Sequence, residues 1–193
     1  NFWSPTSEYA MKKDSNSERF WLEIEGLEPG EIYTYQYWVS DLSPLDESPS
    51  LVKTADPFST MVLSPFDDPW IPETSYPNLP EYPYDFGIER EVTVLKTGQE
   101  SYNWQVEDFE KPKEEDLIIY EVLIRDFDSE RTFQNLIDKI DYFKALNINA
   151  IELMPVMEYE GNESWGYNTA FHMSVDKFYG PEEKLKEFID LCH

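Results

Sequence analysis

Short stretches in which apolar and polar residues alternate dominate the N-terminal part of the chain. Phe20, Leu22 and Ile24 occupy every second position, and residues 32–39 form a β-branched and aromatic run. The segment GLEPGE at residues 26–31 supplies turn-forming residues between these two stretches. This pattern predicts an antiparallel β-sandwich over residues 1–64.

Residues 65–115 have a different character, because prolines recur among aromatic and acidic residues. Proline fixes φ and cannot donate to a β-ladder, so we expect an ordered linker whose aromatic side chains anchor it on the neighbouring domains. The candidate anchors are Phe66, Trp70, Tyr76, Tyr82, Tyr84 and Phe86. Residues 91–95 (EVTVL) predict a further strand, and Thr97 with Gly98 predicts a turn after it.

The hydrophobic period changes again in residues 116–193. Residues 117–124 are almost continuously apolar, as is typical of a parallel strand buried on both faces, and residues 150–155 predict a second such strand. Between them, residues 133–143 repeat apolar positions at helical spacing, with Thr132 as the N-cap and Asn147 near the end. The helical apolar positions are Phe133, Leu136, Ile137, Ile140 and Phe143. Residues 117–155 therefore predict a right-handed β-α-β unit.

A second helix is expected to begin at Pro181, with Glu182 and Glu183 in its first turn. Its apolar stripe comprises Leu185, Phe188, Ile189 and Cys192. A two-stranded parallel sheet cannot bury both of its faces, so we expect the C-terminal domain to need further strands and to be truncated at its C-terminal end. The preceding sandwich is expected to be truncated at its N-terminal end.

Charge and cysteine content exclude several classes of function. The formal net charge is −25, from 40 acidic and 15 basic residues, so nucleic acid and anionic membrane surfaces are repelled, whereas a neutral sugar is not. Cys192 is the only cysteine, so no internal disulfide and no cysteine-rich metal site can form. No apolar run is long enough to span a bilayer. The oligomeric state and the compartment stay open.

Several motifs in their order and spacing resemble the α-amylase family of glycoside hydrolases, in its branching, debranching and trehalohydrolase-like subfamilies. Residues 119–127 (IYEVLIRDF) resemble the first barrel strand and residues 150–156 (AIELMPV) the second. Residues 165–168 (WGYN), leading to FYGP at 178–181, resemble the segment after that second strand. Residues 56–59 (DPFS) resemble the end of the immunoglobulin-like module that precedes the barrel.

The resemblance implies a multidomain β plus α/β protein: an immunoglobulin-like sandwich followed by the first two βα units of a (β/α)₈ TIM barrel. It implies retaining, double-displacement cleavage of an α-glucan such as starch or glycogen by an Asp, a Glu and a second Asp, with the nucleophile and the acid/base about 5 Å apart. None of these three can be matched here, so the chain alone is expected to be inactive. Calcium is possible in a complete enzyme, and glucan degradation suits an extracellular or periplasmic location.

Tyr167 is the main candidate for substrate binding, because the family's tyrosine at this place stacks on the sugar next to the cleaved bond. Asn168 stands where the family often has aspartate or glutamine, and Trp165 is a further candidate that we expect to pin the loop to the barrel wall. No residue is assigned as catalytic or as a metal ligand. His193 does not complete the family's Asn-His motif, and we interpret it as a partner of the helix dipole.

Other polar residues have structural interpretations. Glu121 and Glu152 lie within strands and are expected to pair with a basic or backbone group, and Arg125, Asp126 and Phe127 to organise a loop. His172 is expected to be an ordinary packed histidine. The acidic runs at 67–68 and 114–116 are expected to form a solvated face.

Two alternatives to hydrolysis stay open. One is a branching enzyme or another α-glucan transferase of the same family. The other belongs to a different class, a non-catalytic glycan-binding module, in which Trp3, Trp21 and Trp38 would be sugar platforms. Linkage specificity, α-1,4 or α-1,6, is not encoded in these residues.

Overall fold

The computed structural model describes residues 7–40, 45–47, 49–84 and 89–193. Seven short strands precede residue 100: β1 (Lys12–Lys13), β2 (Phe20–Trp21), β3 (Ile32–Tyr35), β4 (Tyr37–Ser40), β5 (Leu51–Thr54), β6 (Val62–Leu63) and β7 (Val92–Lys96). β1 pairs with β2 and β4 with β5, while β7 lies between β3 and β6; every one of these pairs is antiparallel. The predicted strand at residues 91–95 is thus confirmed as β7.

The predicted long strand over residues 32–39 is divided in two at Gln36, where the chain changes partner. β3 pairs with β7, whereas β4 pairs with β5. The side-chain amide of Gln36 donates to the carbonyls of Arg90 (3.3 Å) and Glu91 (2.8 Å), so it still ties the break to the start of β7. Continuous β-propensity therefore did not imply one continuous strand, because backbone pairing decides where a strand ends.

Asp56 connects these sheets through its side chain. Its carboxylate accepts hydrogen bonds from the hydroxyls of Tyr35 (2.9 Å) and Tyr37 (3.0 Å), and its backbone N–H donates to Thr93 Oγ1 on β7 (2.8 Å). Burial, together with the Asp56 hydrogen bond, raises the pKa of both tyrosines. The turn after β5 is consequently held by polar contacts.

The proline-rich segment contributes to a small hydrophobic core of Leu63, Val92 and Tyr82. Tyr82 is buried and donates its hydroxyl to the Arg90 carbonyl (2.6 Å), and half-buried Tyr76 contacts Met61 Sδ (3.9 Å). The anchoring prediction is wrong for Phe66, Trp70 and Tyr84, whose side chains are exposed. Phe86 lies outside the described residues, as does Trp3.

The predicted β-α-β unit is present. β8 (Ile119–Val122) and β9 (Ala150–Leu153) pair in parallel and are connected through α1 (Ile124–Phe127), α2 (Phe133–Asp138) and α3 (Ile140–Ala145). Thr132 caps α2, because its hydroxyl accepts from the N–H of Asn135 (3.2 Å). The single predicted helix is divided at Lys139, whose φ of −101° and ψ of 12° leave the helical region.

The larger hydrophobic core lies between this unit and α4 (Glu182–Cys192), which confirms the helix predicted from Pro181. Its buried members are Val122, Ile124, Phe133, Leu136, Phe143, Tyr159, Tyr179 and Phe188. The prediction that residues 117–124 are buried on both faces is wrong for the described structure, since Leu117, Ile118 and Ile119 are exposed. With two parallel strands, helices cover one face of the sheet and leave the other open.

An antiparallel hairpin follows β9 and was not predicted. Its strands are β10 (Met157–Tyr159) and β11 (Thr169–Val175), which pair with register shifts on both sides of Glu158. The hairpin encloses the loop at residues 160–168, in which the sequence placed its sugar-binding candidates. A 3-10 turn (Lys177–Tyr179) then leads into α4.

Candidate functional site

The loop at residues 160–168 is fixed at its base by Gly166. This glycine has φ +90°, and a Cβ atom there would lie 2.3 Å from the carbonyl oxygen of Pro155, just after β9. Its N–H donates to Ser164 Oγ (2.9 Å), and its carbonyl accepts from Thr169 Oγ1 (3.2 Å). Only a residue without a side chain fits this approach, so the loop passes close to the C-terminal end of β9.

Trp165 and Tyr167 flank this glycine and project outward. Trp165 is 61% exposed and Tyr167 69% exposed, although Gly166 between them is buried. The interpretation that Trp165 pins the loop to the barrel wall does not agree with this exposure. Two aromatic faces held on a fixed turn are available to stack against a ligand.

Asn168 is turned back into the loop. Its Oδ1 accepts from Ser164 Oγ, and its Nδ2 donates to the carbonyl of Glu160 (3.2 Å). The side-chain amide of Asn168 therefore connects the two ends of the loop at residues 160–168 and helps to hold Trp165 and Tyr167 in place.

Charged residues after β8 lie near the same loop. Arg125 forms two hydrogen bonds to the carboxylate of Asp126 (2.7 and 2.8 Å), which raises the pKa of the guanidinium and lowers the pKa of Asp126. Arg131 pairs with Glu163 of the loop (2.7 Å). Phe127 stacks on Phe143 with ring centroids 5.3 Å apart. The expected loop-organising role of this segment is consistent with these contacts.

A cluster of buried charged side chains lies against the hairpin of β10 and β11. It was not predicted from the sequence. The side chain of Lys177 is 2% exposed; its ammonium pairs with Glu158 of β10 and lies 3.2 Å from Asp68 Oδ1 in the 3-10 turn Asp68–Trp70. The backbone N–H of Lys177 also donates to Glu158 Oε2 (3.2 Å). Asp176 accepts from the N–H groups of Phe178 (2.9 Å) and Tyr159 (3.3 Å).

Burial and mutual charge shift the pKa values in this cluster. Burial, reinforced by the neighbouring Glu158, raises the pKa of Asp176 to about 8. Burial also raises the pKa of Asp68 and of Glu158, against the opposing effect of Lys177. Although burial alone would lower the pKa of Lys177, the Glu158 and Asp68 carboxylates raise it, so the ammonium stays charged.

Several structural interpretations are corrected by these positions. Asp68 is buried and ion-paired rather than solvated, and His172 is exposed on β11 rather than packed. His193 lies at the C-terminal end of α4, as the helix-dipole interpretation requires, and its side chain also stacks on Phe109 with centroids 4.1 Å apart. Glu121 and Glu152 face each other across the parallel register, both exposed, and neither carboxylate has a hydrogen-bond or ion-pair partner among the described residues.

Asp68 and Lys177 gave no signal from local sequence, since each is one charged residue among many. The only usable hint was the flanking aromatic sequence of the FYGP segment. Within the described ranges, no group of three histidine, cysteine or acidic side chains is placed to hold a metal ion. No helix in the same ranges is both long and apolar enough to cross a membrane.

A parallel β-α-β unit, with an aromatic loop beyond the C-terminal end of its second strand, is a unit from which βα-barrels are built. Comparison with known proteins agrees. Residues 119–193 match the family described as "Alpha amylase, catalytic domain". Malto-oligosyltrehalose trehalohydrolase of Saccharolobus solfataricus is 37% identical over 92 residues, which cover 48% of this chain and 16% of that enzyme.

Two further matches extend over more of the chain. The 1,4-alpha-glucan branching enzyme GlgB of Pseudomonas syringae pv. syringae is 28% identical over 176 residues, covering 88% of this chain and 21% of that enzyme. The crystal structure of a putative alpha amylase from Salmonella typhimurium superposes with a TM-score of 0.64 at 22% identity, covering 95% of this chain and 25% of that one. The chain thus spans about a fifth of the length of these curated relatives, or less.

The match of residues 119–193 to the α-amylase catalytic-domain family confirms the resemblance found in the sequence. Homology to that family implies a TIM-barrel catalytic domain, and β8 and β9 pair in parallel as barrel strands do. The immunoglobulin-like identity of the N-terminal strands stays a prediction.

Proposed function

We propose that this chain is part of an α-glucan-active glycoside hydrolase and that Tyr167 and Trp165 contribute to its sugar-binding surface. The observation that carries the proposal is the exposed aromatic pair on a loop fixed by Gly166 against Pro155, within the segment that matches the catalytic domain. A rigid aromatic face offers a sugar's C–H surface a large contact at low entropic cost. Asn168 contributes indirectly, because its hydrogen bond to the Glu160 carbonyl holds the two ends of the loop together.

The proposed domain organisation follows the sequence interpretation: an immunoglobulin-like module at 1–64, a proline-rich connection at 65–115 and the start of the catalytic domain at 116–193. The chain itself is expected to bind glucan weakly and not to cleave it, because none of its residues matches the family's catalytic carboxylates. In the whole protein, those carboxylates would carry out retaining cleavage of starch or glycogen.

The proposal is tested by titrating the 193-residue chain with maltoheptaose while its amide NMR spectrum is recorded. We expect shifts at residues 165–169, and Tyr167→Ala is expected to weaken the apparent affinity roughly tenfold or more, since a lost stacking contact is worth about 1–2 kcal/mol. Phe58→Ala, which removes a similarly exposed aromatic ring outside the loop and away from the Asp68–Trp70 turn, is the matched control. Unchanged affinity in Tyr167→Ala would contradict the proposal.

Two other functions have support from particular observations. The branching-enzyme match covers 88% of the chain and favours transfer as an alternative to hydrolysis. Hydrolysis by the full-length protein would release one reducing end for each bond cleaved, whereas transfer would release none. The exposed Phe20 and Trp21 of β2, together with Trp38 of β4, favour a glycan-binding module. In that case Trp21→Ala, rather than Tyr167→Ala, would lower the apparent affinity for maltoheptaose.

A further inference from the structure

The buried charges around Lys177 join segments that are far apart in the chain. Lys177 follows β11, Glu158 lies on β10, and Asp68 belongs to the proline-rich segment. A buried ammonium is costly unless carboxylates compensate it. Glu158 supplies one such carboxylate from the hairpin that Lys177 follows, and Asp68 supplies a second from a distant segment. The ion pair to Asp68 therefore favours arrangements in which the proline-rich turn stays against the hairpin.

A second contact passes from the same turn to the aromatic loop. Asn162, in the loop at 160–168, donates its side-chain amide to the backbone carbonyl of Asp67 (2.9 Å). Asp67 directly precedes Asp68, so the carbonyl that holds the loop belongs to the residue next to the buried carboxylate. The position of the turn is thereby transmitted to the loop that carries Trp165 and Tyr167.

Among the described residues, two interactions can fix the side chain of Asp68. Its Oδ2 accepts from the backbone N–H of Ser64 (2.9 Å), which closes the turn on itself. Its Oδ1 is buried without a well-aligned hydrogen bond among the described residues and has the Lys177 ammonium at 3.2 Å as its partner. An asparagine could keep the Ser64 contact but would lose the charge that faces Lys177.

We propose that Lys177 and Asp68 are positioning residues, whose buried ion pair holds the turn at residues 64–70 so that the Asp67 carbonyl can fix the loop that presents Tyr167. The consequence for glucan rests on the proposed function of Tyr167, but the coupling between turn and loop does not. The proline-rich segment is then a support of the sugar-binding loop as well as a connection between domains.

The test measures amide hydrogen exchange of the 193-residue chain by mass spectrometry, without any sugar. Asp68→Asn is expected to accelerate exchange about tenfold at both residues 64–70 and 160–168, as for the loss of one charge-assisted contact. Exchange in α4 is expected to be unchanged, which checks that the fold persists. Asp67→Asn is the matched control, because it makes the same chemical change one residue away from the ion pair. Its amide oxygen can still accept from Ser64 Oγ, as the Asp67 carboxylate does (3.1 Å), so it is expected to alter neither segment.

A double variant distinguishes a specific effect of the Lys177–Asp68 ion pair on the loop from a general increase in amide exchange. Asn162→Ala alone is expected to accelerate exchange at 160–168 and not at 64–70. In the Asn162→Ala background, Asp68→Asn should still loosen 64–70 but add nothing at 160–168, since the connection is already broken. Equal effects of Asp68→Asn on the loop in both backgrounds would overturn the proposal, as would no effect on the loop in either.

Two further outcomes are informative. If Asp68→Asn does not fold, Asn162→Ala decides alone: faster loop exchange supports the proposal, and unchanged loop exchange overturns it. Because no sugar is present, failure of this coupling is distinguishable from failure of glucan binding. A chain with Tyr167→Ala is expected to retain the coupling between the two segments.

Discussion

The strands before residue 64 and the β-α-β region after residue 117 are stabilised in different ways. In the later region eight buried hydrophobic residues form one core between α2, α3, α4 and the strands. In the earlier region, strands β1 to β5 contain no buried residue, and the buried members of the smaller core lie on β6, on β7 and in the proline-rich segment. Backbone pairing and the Asp56 contacts hold those five strands, whereas side-chain packing holds the β-α-β unit.

The difference shows where this chain buries its apolar surface. Fully burying a large apolar side chain contributes about 1.5–3 kcal/mol, whereas an exposed one contributes little. Exposed aromatic residues on β2 and β4 have lysine ammonium groups over their rings, at 5.0 Å for Trp21 and 4.6 Å for Trp38, while buried aromatic residues of the β-α-β unit are used in its own core.

The largest expected effect comes from the core of the β-α-β unit. Phe133→Ala is expected to lower the free energy of unfolding by about 3–5 kcal/mol, because Phe133 is fully buried and the cavity cannot be filled. Val39→Ala on β4, where the side chain is 49% exposed, is expected to cost less than about 1 kcal/mol. Urea unfolding followed by circular dichroism measures both. Equal losses for the two variants would remove the distinction between the regions.

The second effect is the pH dependence of the β-α-β region, in which Asp176 is buried. Its pKa is raised from 3.8 to about 8, so the folded state binds a proton that the unfolded state has released. This contribution to stability is fully present below about pH 4 and is lost as pH rises to about 8. We expect a loss on the order of 2 kcal/mol between pH 6 and pH 8, measured by urea unfolding.

The other charged groups near Asp176 either change the stability with pH in the same direction or titrate outside pH 6 to 8. The pKa values of Glu158 and Asp68 are also raised, and the pKa of Lys177 is raised above its ordinary value of 10.5. Asp176→Asn, which cannot titrate, is expected to show a much flatter pH dependence between pH 6 and pH 8. A variant with the full wild-type slope would show that Asp176 is not the group responsible.

The smallest contrast, a difference of about 1–2 kcal/mol between two glycine variants, concerns the aromatic loop itself. Gly161→Ala, at φ +82° with open space around it, is expected to cost about 1 kcal/mol for the left-handed backbone alone. Gly166→Ala adds a clash with the Pro155 carbonyl, and we expect about 1–2 kcal/mol more, together with faster amide exchange at 160–168. If both variants behave alike, the close approach to Pro155 does not fix the loop.

Elements with strong local signals were predictable. The parallel strands β8 and β9, the Thr132 cap and α4 follow from periodicity and from residue types at helix ends. The hairpin of β10 and β11 was not predicted, because β10 is only three residues long and the register shifts around Glu158. Gln36 divided a run of good strand formers, since its neighbours pair with different strands.

The candidate site was predictable only in part. Tyr167, Trp165 and Asn168 were named from a short motif, but their exposure and the inward turn of Asn168 depend on contacts with Pro155, Ser164 and Glu160. Asp68 was interpreted as solvated because an acidic residue in an acidic chain is usually exposed. Its partner Lys177 is 109 positions away, and no local pattern can show such a pairing.

The sequence by itself indicated the alternation of strands and helices, the family that residues 119–193 match and the aromatic residues proposed to contact a sugar. Those properties depend on local propensity and on motif spacing, which are written in consecutive residues. Only the tertiary structure decided which faces are buried, which strands exchange partners and which charges are paired below the loop. These depend on desolvation and on contacts between distant segments, and both exist only once the chain has folded.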